Sequence, residues 1–405
     1  MSEVNTAETA KKVRKVHHTG RTSQVWIYLG KQFRFFINEN DWKVLPMAAV
    51  IAGLVAMVIR KKFFVNMEGS LIGAFALTCV AIWNGCFNSI QSVCRERAII
   101  KREHRSGMHI SAYMGAHMIY LFLLCAAQTA LTMIVLRQLS VPIPRGYGSG
   151  IITPWMICDL GISMFLISYA SDMMSLFLSS ISRTTTGAMT LMPFILIFQL
   201  VFSGGIIPLP EWSRPLSNFT ISNYGIRALA SQSGYNELPM TSVWNSVSGM
   251  KNSTIGRDFT VAELMEKLDS PAIEKFKDRV VLGTITVGDA QEVLGVEKDE
   301  HSEETLTNPI TVGQVVELLK NSKYLNEHKD KTISLKTTVG DVLDILGEEN
   351  VKNFVQQKTA EAAHKDEYES SMQNIARNWL MLGVFIAVFA ALATLMLELI
   401  DKDKR

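Results

Sequence analysis

Six long apolar runs constrain this chain more than any other feature of its sequence. They lie at residues 42–59, 71–93, 110–136, 151–181, 188–207 and 379–400. A helix needs roughly 17 to 25 predominantly apolar residues to cross a bilayer. The chain is also 48% hydrophobic and only 19% charged, which is more apolar than an average soluble domain. The sequence therefore predicts a mainly α, polytopic membrane protein with six transmembrane helices.

Lysine and arginine residues in the short connections set the expected orientation. If the N-terminus is inside, seventeen of them fall on inner segments and five on outer ones, in agreement with the positive-inside rule. An even number of spans returns the C-terminus to the same side. We therefore expect a multi-pass protein of the cell membrane with both termini in the cytoplasm.

The runs divide the chain into four regions. Residues 1–43 form a cytoplasmic tail, 44–235 contain the first five spans, 236–377 form an extracytoplasmic domain, and 378–405 contain the sixth span and a cytoplasmic tail. Ahead of the first span, apolar residues recur at helical spacing at Trp26, Leu29, Phe33 and Phe36. This pattern suits an interfacial helix along the inner leaflet. A helix packed against other protein gives the same pattern, and both alternatives stay open.

Residues 236–377 have the composition of a soluble domain, with 16 Lys and Arg against 25 Asp and Glu. A Thr-Val motif recurs there at intervals of about 26 residues, at Thr260, Thr286, Thr311 and Thr338. In each case Glu, Asp or Gln follows the threonine three residues later, which predicts a capped helix start. The longer stretches that begin at Thr260 and Thr311 also match, which indicates a duplication of about 51 residues.

Each copy of the duplication carries Lys-Asp, at 277–278 and 329–330, before a short β-prone run. We therefore expect an α+β repeat domain with helix, strand and helix in each copy. The repeats either build only a scaffold or form a module that binds a protein partner. Residues 350–379 contain no Gly or Pro and predict a helical stalk that runs into the sixth span.

The sequence predicts no catalytic residue and no metal site. It contains no GxxxxGK[ST] loop for ATP phosphates, and its five cysteines lie in or next to apolar runs without the spacing of metal ligands. A net charge of +2 gives no general attraction to nucleic acid. We therefore expect neither an enzyme nor a nucleic-acid-binding protein.

Two acidic residues lie inside the apolar runs. A carboxylate at such a position is costly and is a functional candidate by default. Asp159 is near the outer end of the fourth run, where water could hydrate it. Asp172 is deeper and needs a partner or a water-filled cavity. A position on a substrate or ion path explains Asp172 as well as helix pairing does, for which the neighbouring Ser168, Ser171 and Ser175 are suited.

Residues 83–119, WNGCFNSIQSVCRERAIIKREHRSGMHISAYMGAHMI, interrupt the apolar runs with a strongly charged segment. They resemble the second span, coupling helix and third span of the membrane domain in the G subfamily of ABC transporters. The pattern E-[RK]-x4-[RH]-E-x2-S-G is met by Glu96, Arg97, Arg102, Glu103, Ser106 and Gly107. Residues 166–229 resemble the fourth and fifth spans and the re-entrant outer segment of this family, which would lie here at 203–235.

This resemblance implies a half-permease that forms a homodimer or pairs with a related half-permease. It also implies that the helix at 94–109 contacts a separate ABC ATPase, which binds ATP and Mg²⁺, whereas this chain binds no cofactor. The six residues of the pattern would then form the ATPase-coupling network. The alternative, a positively charged anchor for the inner side, explains the Arg and Lys residues but not the glutamates among them.

The resemblance also implies a substrate path. Asn84 and Phe87 match family positions that face the central cavity, and Asp172 joins them as the intramembrane acid. Phe198 and Phe202 either line or gate this path or face lipid.

We therefore expect the permease half of an ATP-driven exporter of an amphipathic lipid, peptide or drug-like molecule. The rival hypothesis is a membrane-anchored binding or assembly protein whose extracytoplasmic domain captures a partner.

Overall fold

The computed structural model describes residues 20–205, 209–283, 285–286, 303, 305–307 and 309–399. The chain divides into two compact units. The larger unit is built from the residues before Asn245 and after Asn353, and the smaller unit is Asn245–Asn353. The smaller unit lies within the predicted extracytoplasmic region, 236–377.

Helices make up most of the described chain. The first ten are α1 (Arg21–Asn38), α2 (Val44–Ile59), α3 (Met67–Ser89), α4 (Ser92–Arg105), α5 (Ile110–Gln138), α6 (Met156–Ile181), α7 (Thr185–Val201), α8 (Arg214–Ser217), α9 (Ile221–Gln232) and α10 (Ser242–Gly249). They are followed by α11 (Val261–Leu268), α12 (Pro271–Glu274), α13 (Val312–Lys320), α14 (Lys323–Glu327), α15 (Val339–Leu346), α16 (Glu348–Ala363) and α17 (Met372–Glu398). Single 3₁₀ turns lie at Asp41–Lys43, Glu211–Ser213, Tyr235–Glu237 and Asp366–Tyr368.

Within the residues that the structure describes, five segments are long and apolar enough to cross a membrane, namely those of α2, α3 with α4, α5, α6 and α17. The predicted fifth span corresponds to α7, which has 17 residues and ends at Val201 instead of residue 207. The predicted fourth span starts five residues later than expected, at Met156, because residues 151–155 form bends. These helices confirm a mainly α, polytopic membrane protein.

Helix α6 is the centre of the larger unit and packs against α3, α5, α9 and α17. Gly85 lets α3 approach α6 closely. A Cβ atom at Gly85 would overlap the Ser168 carbonyl oxygen and lie 2.9 Å from the Ser171 Cβ. The hydroxyls of Ser171 and Ser175 donate to the carbonyls of Ile82 and Cys86, at 2.8 and 2.9 Å. The serines on α6 thus pair the two helices, as small hydroxyl residues do within membranes.

Helix α1 packs along α5, and its buried residues are Gln24, Leu29 and Gln32. Trp26 and Phe33, on the face predicted to be apolar, are exposed. The structure therefore shows a helix packed on protein that also presents aromatic side chains outward. Its location at a membrane surface stays a prediction.

The described residues of the smaller unit form three two-stranded antiparallel sheets. Their strands are β1 (Thr254–Thr260) with β6 (Thr332–Thr338), β2 (Val280–Leu282) with β5 (Ile310–Thr311), and β3 (Ile285–Thr286) with β4 (Thr305–Thr307). The two β-prone runs after Lys-Asp form β2 and β6, as predicted. Strand β1 was not predicted, and its pairing with β6 joins the segment that leads into the first copy of the repeat to the second copy.

Three of the four predicted helix starts are confirmed. Thr260, Thr311 and Thr338 each form a complete capping box, with the residue three positions later bonded back to the threonine amide. The helix expected after Thr286 lies outside the described residues.

The repeated Lys-Asp segments contact these helix starts. The amides of Val312 and Gly313 donate to the carbonyls of Arg279 and Lys277, and those of Val261 and Ala262 donate to Lys331 and Lys329. The helix start of each copy is thus hydrogen-bonded to the Lys-Asp segment of the other copy.

The predicted stalk is not one continuous helix. Helix α16 ends at Ala363, the chain then forms the 3₁₀ turn Asp366–Tyr368, and α17 begins at Met372. The Asn236 side chain bonds both the amide and the carbonyl of Lys365, and the Tyr235 ring meets the Tyr368 ring edge-on at 5.1 Å. These contacts fix the break to the segment that follows α9 within the larger unit.

Candidate functional site

The charged segment forms α4, a separate helix that follows α3 after a short break. Its N-terminus is capped from α6, because the Ser179 hydroxyl accepts from the backbone N–H groups of Val93 and Cys94, both at 3.1 Å. Capping by a side chain satisfies donors that have no partner within a helix. The start of α4 is therefore fixed to the end of α6.

Glu96 is the most buried charged residue of α4, with 4% of its surface exposed. Its Oε2 atom lies 3.2 Å from Lys31 Nζ on α1 and accepts from the Tyr113 hydroxyl on α5 at 3.1 Å. A buried carboxylate is stable only where such partners replace water. Glu96 thus joins α4 to both α1 and α5.

Glu103 lies two turns further along α4 and accepts from the Tyr28 hydroxyl of α1 at 3.0 Å. Burial and the hydrogen bond to Glu103 both raise the pKa of Tyr28 above its ordinary value. Tyr28 therefore stays protonated at neutral pH and remains a donor. The two glutamates of the predicted coupling network both bind α1.

Arg97 faces the opposite side and donates to the carbonyls of Ser180 and Ser182 at 2.9 and 3.2 Å. These carbonyls end α6, where a cation is favoured by the helix dipole. The carbonyl of Gly107, which has a φ of +106°, accepts from the Gln24 side chain of α1 at 3.3 Å. The amide of His109 donates to the same side chain at 2.9 Å. The loop after α4 is thus also held by α1.

One face of α4 is exposed in the part of the chain that the structure describes. Its exposed positions follow helical spacing and include two of the predicted coupling residues: Arg95, Ala98, Ile99, Arg102, Arg105 and Ser106. We call these six positions the outer stripe. The buried face therefore contacts α1, α5 and α6, while the outer stripe is exposed and Arg95 within it pairs with Glu39 at 2.7 Å.

The structure brings together the residues predicted for coupling and adds partners that the sequence pattern did not identify. These are Gln24, Tyr28, Lys31, Tyr113 and Ser179. Each lies at least 17 positions away from its partner on α4 or the following loop, so no local motif identifies it. The polar residues on the otherwise apolar α1 were the one available signal.

The residues predicted for the substrate path do not converge in one chain. Phe87 on α3 is 54% exposed and meets the Trp83 ring edge-on at 6.5 Å, and Asn84 is half-buried beside them. Phe198 and Phe202 stack at a tilt, 4.9 Å apart, at the end of α7. They form two separate aromatic pairs.

Asp172 is completely buried between α3, α5 and α6. Its Oδ2 atom accepts from the Cys125 thiol at 2.6 Å, while Oδ1 has no hydrogen-bond partner. Its own backbone carbonyl accepts from the Ser89 hydroxyl at 2.8 Å. The side chain therefore lies buried within the helix bundle, and a role of Asp172 in a substrate path stays a prediction.

Asp159 is also completely buried, so hydration does not explain it. Its carboxylate accepts from the amides of Ile151, Ile152 and Thr153, at 2.7, 3.0 and 2.8 Å. The expectation of a hydrated acid is therefore wrong, because the preceding bend supplies three donors. Asp159 fixes the connection that leads into α6.

Comparisons with known proteins agree with this arrangement. Residues 23–232, which contain α1 to α9, match the family model of the ABC-2 type transporter. A Mycobacterium tuberculosis protein named ABC transporter ATP-binding/permease protein is 31% identical over 201 residues, or 47% of this chain. The chain covers 23% of the length of that relative. The protein therefore belongs to the ABC-2 type transporter family, as a multi-pass membrane permease component.

Proposed function

We propose that this chain is the permease half of an ATP-driven exporter and that a separate ABC ATPase drives it. The observation that carries the proposal is the position of α4. Its buried face is bonded to three helices of the bundle, whereas its outer stripe is uncovered. A helix placed in this way can receive force on one side and pass it to the membrane helices on the other.

The proposed working unit is a dimer, either of two copies or with a related half-permease. The exposed ring of Phe87 and the outward face of α7 at Phe194 and Ile197 are apolar and uncovered within one chain. In the proposal the substrate path runs between the two halves, and its cargo is an amphipathic lipid, peptide or drug-like molecule. ATP and Mg²⁺ are bound by the ATPase.

The proposed orientation places the termini and α4 in the cytoplasm. When the ATPase pair closes, it would press on the outer stripe. The contacts of Glu96, Glu103 and Arg97 would then carry α1 and α6 along with α4 and open the path outward. Such a change is a two-state equilibrium that nucleotide biases.

Substituting Glu103→Ala tests this role. It removes a charge-assisted hydrogen bond of about 1.5 kcal/mol, so the ATPase rate of the complex should fall about tenfold while assembly is retained. The measurement is ATP hydrolysis by the purified complex, after the tagged chain has been isolated from its native membranes together with its ATPase.

Glu211→Ala is the control, because it removes the same carboxylate group at an exposed position outside α4, whereas Glu103 is half-buried. It should leave both assembly and hydrolysis unchanged. Tyr28→Phe removes the hydroxyl that bonds Glu103 and should reproduce part of the loss. If no ATPase co-purifies, the exporter proposal fails and the membrane-anchored binding protein becomes the better explanation. An unchanged rate in Glu103→Ala would remove the coupling role.

A further inference from the structure

A cavity with a volume of about 790 Å³ lies in the larger unit, away from α4. This is within the range of small-molecule sites, about 300–1,000 Å³. Residues from the α8 region, from α9 and from the segment between α16 and α17 line it, among them Arg214, Asn223, Arg227, Lys365, Asp366 and Glu367. None of these residues takes part in the proposed coupling.

Two residues that line this cavity carry a buried donor with no hydrogen-bond partner among the described residues. Asn223 is 3% exposed, and its Nδ2 atom forms no hydrogen bond. The Nε atom of Arg227 is also buried and unpartnered, although the Nη2 atom of the same side chain lies 3.0 Å from Glu367 Oε2. A buried donor without an acceptor costs about 1–3 kcal/mol. The cavity therefore favours a ligand that supplies acceptor oxygens.

The charges around the cavity favour an anion. Arg214, Arg227 and Lys365 outnumber Asp366 and Glu367. One of the two acids, Glu367, is already engaged by Arg227. The side chain of Arg214 is exposed and forms no ion pair with any described residue. A guanidinium group in this state can bind a phosphate through two parallel hydrogen bonds.

The helix that supplies the buried donors strengthens this preference. Asn223 is the third residue of α9, which has 12 residues. The N-terminal turn of a helix carries a partial positive charge that attracts phosphate groups. The amides of Ile221 and Ser222 already donate to the Gln199 side chain, so the Asn223 side chain is the donor left for a ligand.

We propose that this cavity binds a phosphate-type anion, held by Asn223, Arg227 and Arg214. The same chemistry fits a soluble phosphate compound and the headgroup of an acidic phospholipid. This site does not depend on the proposed export function, because binding to it requires neither the ATPase nor transport.

Calorimetric titration of the purified full-length chain with two probes tests the proposal. The probes are inorganic phosphate and dihexanoyl phosphatidic acid, with dihexanoyl phosphatidylcholine as the lipid whose phosphate is masked by a choline. We expect saturable binding of at least one of the first two. Binding of inorganic phosphate would identify a soluble anion as the ligand, whereas binding of phosphatidic acid alone would identify a lipid headgroup.

Two variants test whether the anion binds in this cavity. Asn223→Asp replaces the free donor by a negative acceptor, and Arg214→Gln removes an exposed charge without affecting the core. Each should weaken binding at least tenfold, while Lys61→Gln, at an exposed lysine outside the cavity, should not change it. The proposal is overturned if neither inorganic phosphate nor dihexanoyl phosphatidic acid binds saturably. It is also overturned if Arg214→Gln leaves the affinity unchanged, and this second test holds even if Asn223→Asp does not fold.

Discussion

Replacing Gly85 by alanine is expected to lower the free energy of unfolding by about 1–3 kcal/mol. The added methyl group would overlap the Ser168 carbonyl oxygen and lie 3.0 Å from the Asp172 amide nitrogen. Both are backbone atoms of α6, so no flexible side chain can move aside. The helices must separate, which stretches the hydrogen bonds of Ser171 and Ser175. The thermal midpoint of the purified chain in detergent measures this loss.

Gly53→Ala is the matched control, because Gly53 is also an interior glycine of a predicted span. A Cβ atom there would meet Val135 and Leu139 side-chain carbons at 3.9 and 4.0 Å, which is ordinary contact. Alanine also favours the helix by about 1 kcal/mol over glycine. Its midpoint should stay equal or rise. Equal losses in the two variants would show that α3 and α6 are not packed as closely as described.

Asp159→Ala is expected to destabilise the chain by about 3 kcal/mol or more, since hydrogen bonds to a charged group contribute about 1.5–3 kcal/mol each. The substitution leaves the amides of Ile151, Ile152 and Thr153 without their acceptor. The bend before α6 would then lose its defined structure. Thermal unfolding and hydrogen exchange of residues 150–156 measure the two effects.

Two further substitutions give losses of stability with which that of Asp159→Ala can be compared. Asp159→Asn keeps the shape and one acceptor oxygen, so its loss should be intermediate. Ser149→Ala removes a hydroxyl that accepts from the Met156 amide at 3.3 Å and donates to the Gly146 carbonyl at 2.9 Å. Because both are neutral hydrogen bonds, the loss should be only about 1–2 kcal/mol. If Asp159→Ala is no more harmful than Ser149→Ala, the carboxylate does not hold the bend.

The sequence predicted the elements that depend on local patterns. Apolar length located the membrane helices to within a few residues, except at the start of α6, the end of α7 and the start of α17, which begins seven residues before the predicted span. Thr260, Thr311 and Thr338 were identified as helix starts because a capping box needs only residues i and i+3. The break between α16 and α17 was missed because it is held by Tyr235 and Asn236, which lie far away in the chain.

In the candidate site, too, local patterns were predicted and contacts between distant parts of the chain were missed. The glutamate and arginine spacing of α4 identified Glu96 and Glu103, but not Lys31 or Tyr28, whose relation to them arises only when α1 packs against the bundle. Asp159 and Asp172 both lie in the apolar helix α6, but the environment of Asp159 depends on three backbone amides of the preceding bend. No property of those side chains could indicate that arrangement.

In the proposed mechanism, α4 passes the nucleotide state of an ATPase to the membrane helices. A spin label at Gln138→Cys in both halves of the dimer tests it most directly, since Gln138 is exposed and ends α5, which begins beside α4. Cys79 and Cys158, which are not buried, are first replaced by serine.

We predict that trapping ATP on the ATPase shifts the distance distribution between the two labels, and that Glu103→Ala abolishes the shift with the complex intact. A distance distribution that is identical with and without ATP, or a shift that persists unchanged in Glu103→Ala, would show that α4 does not couple the ATPase to the membrane helices.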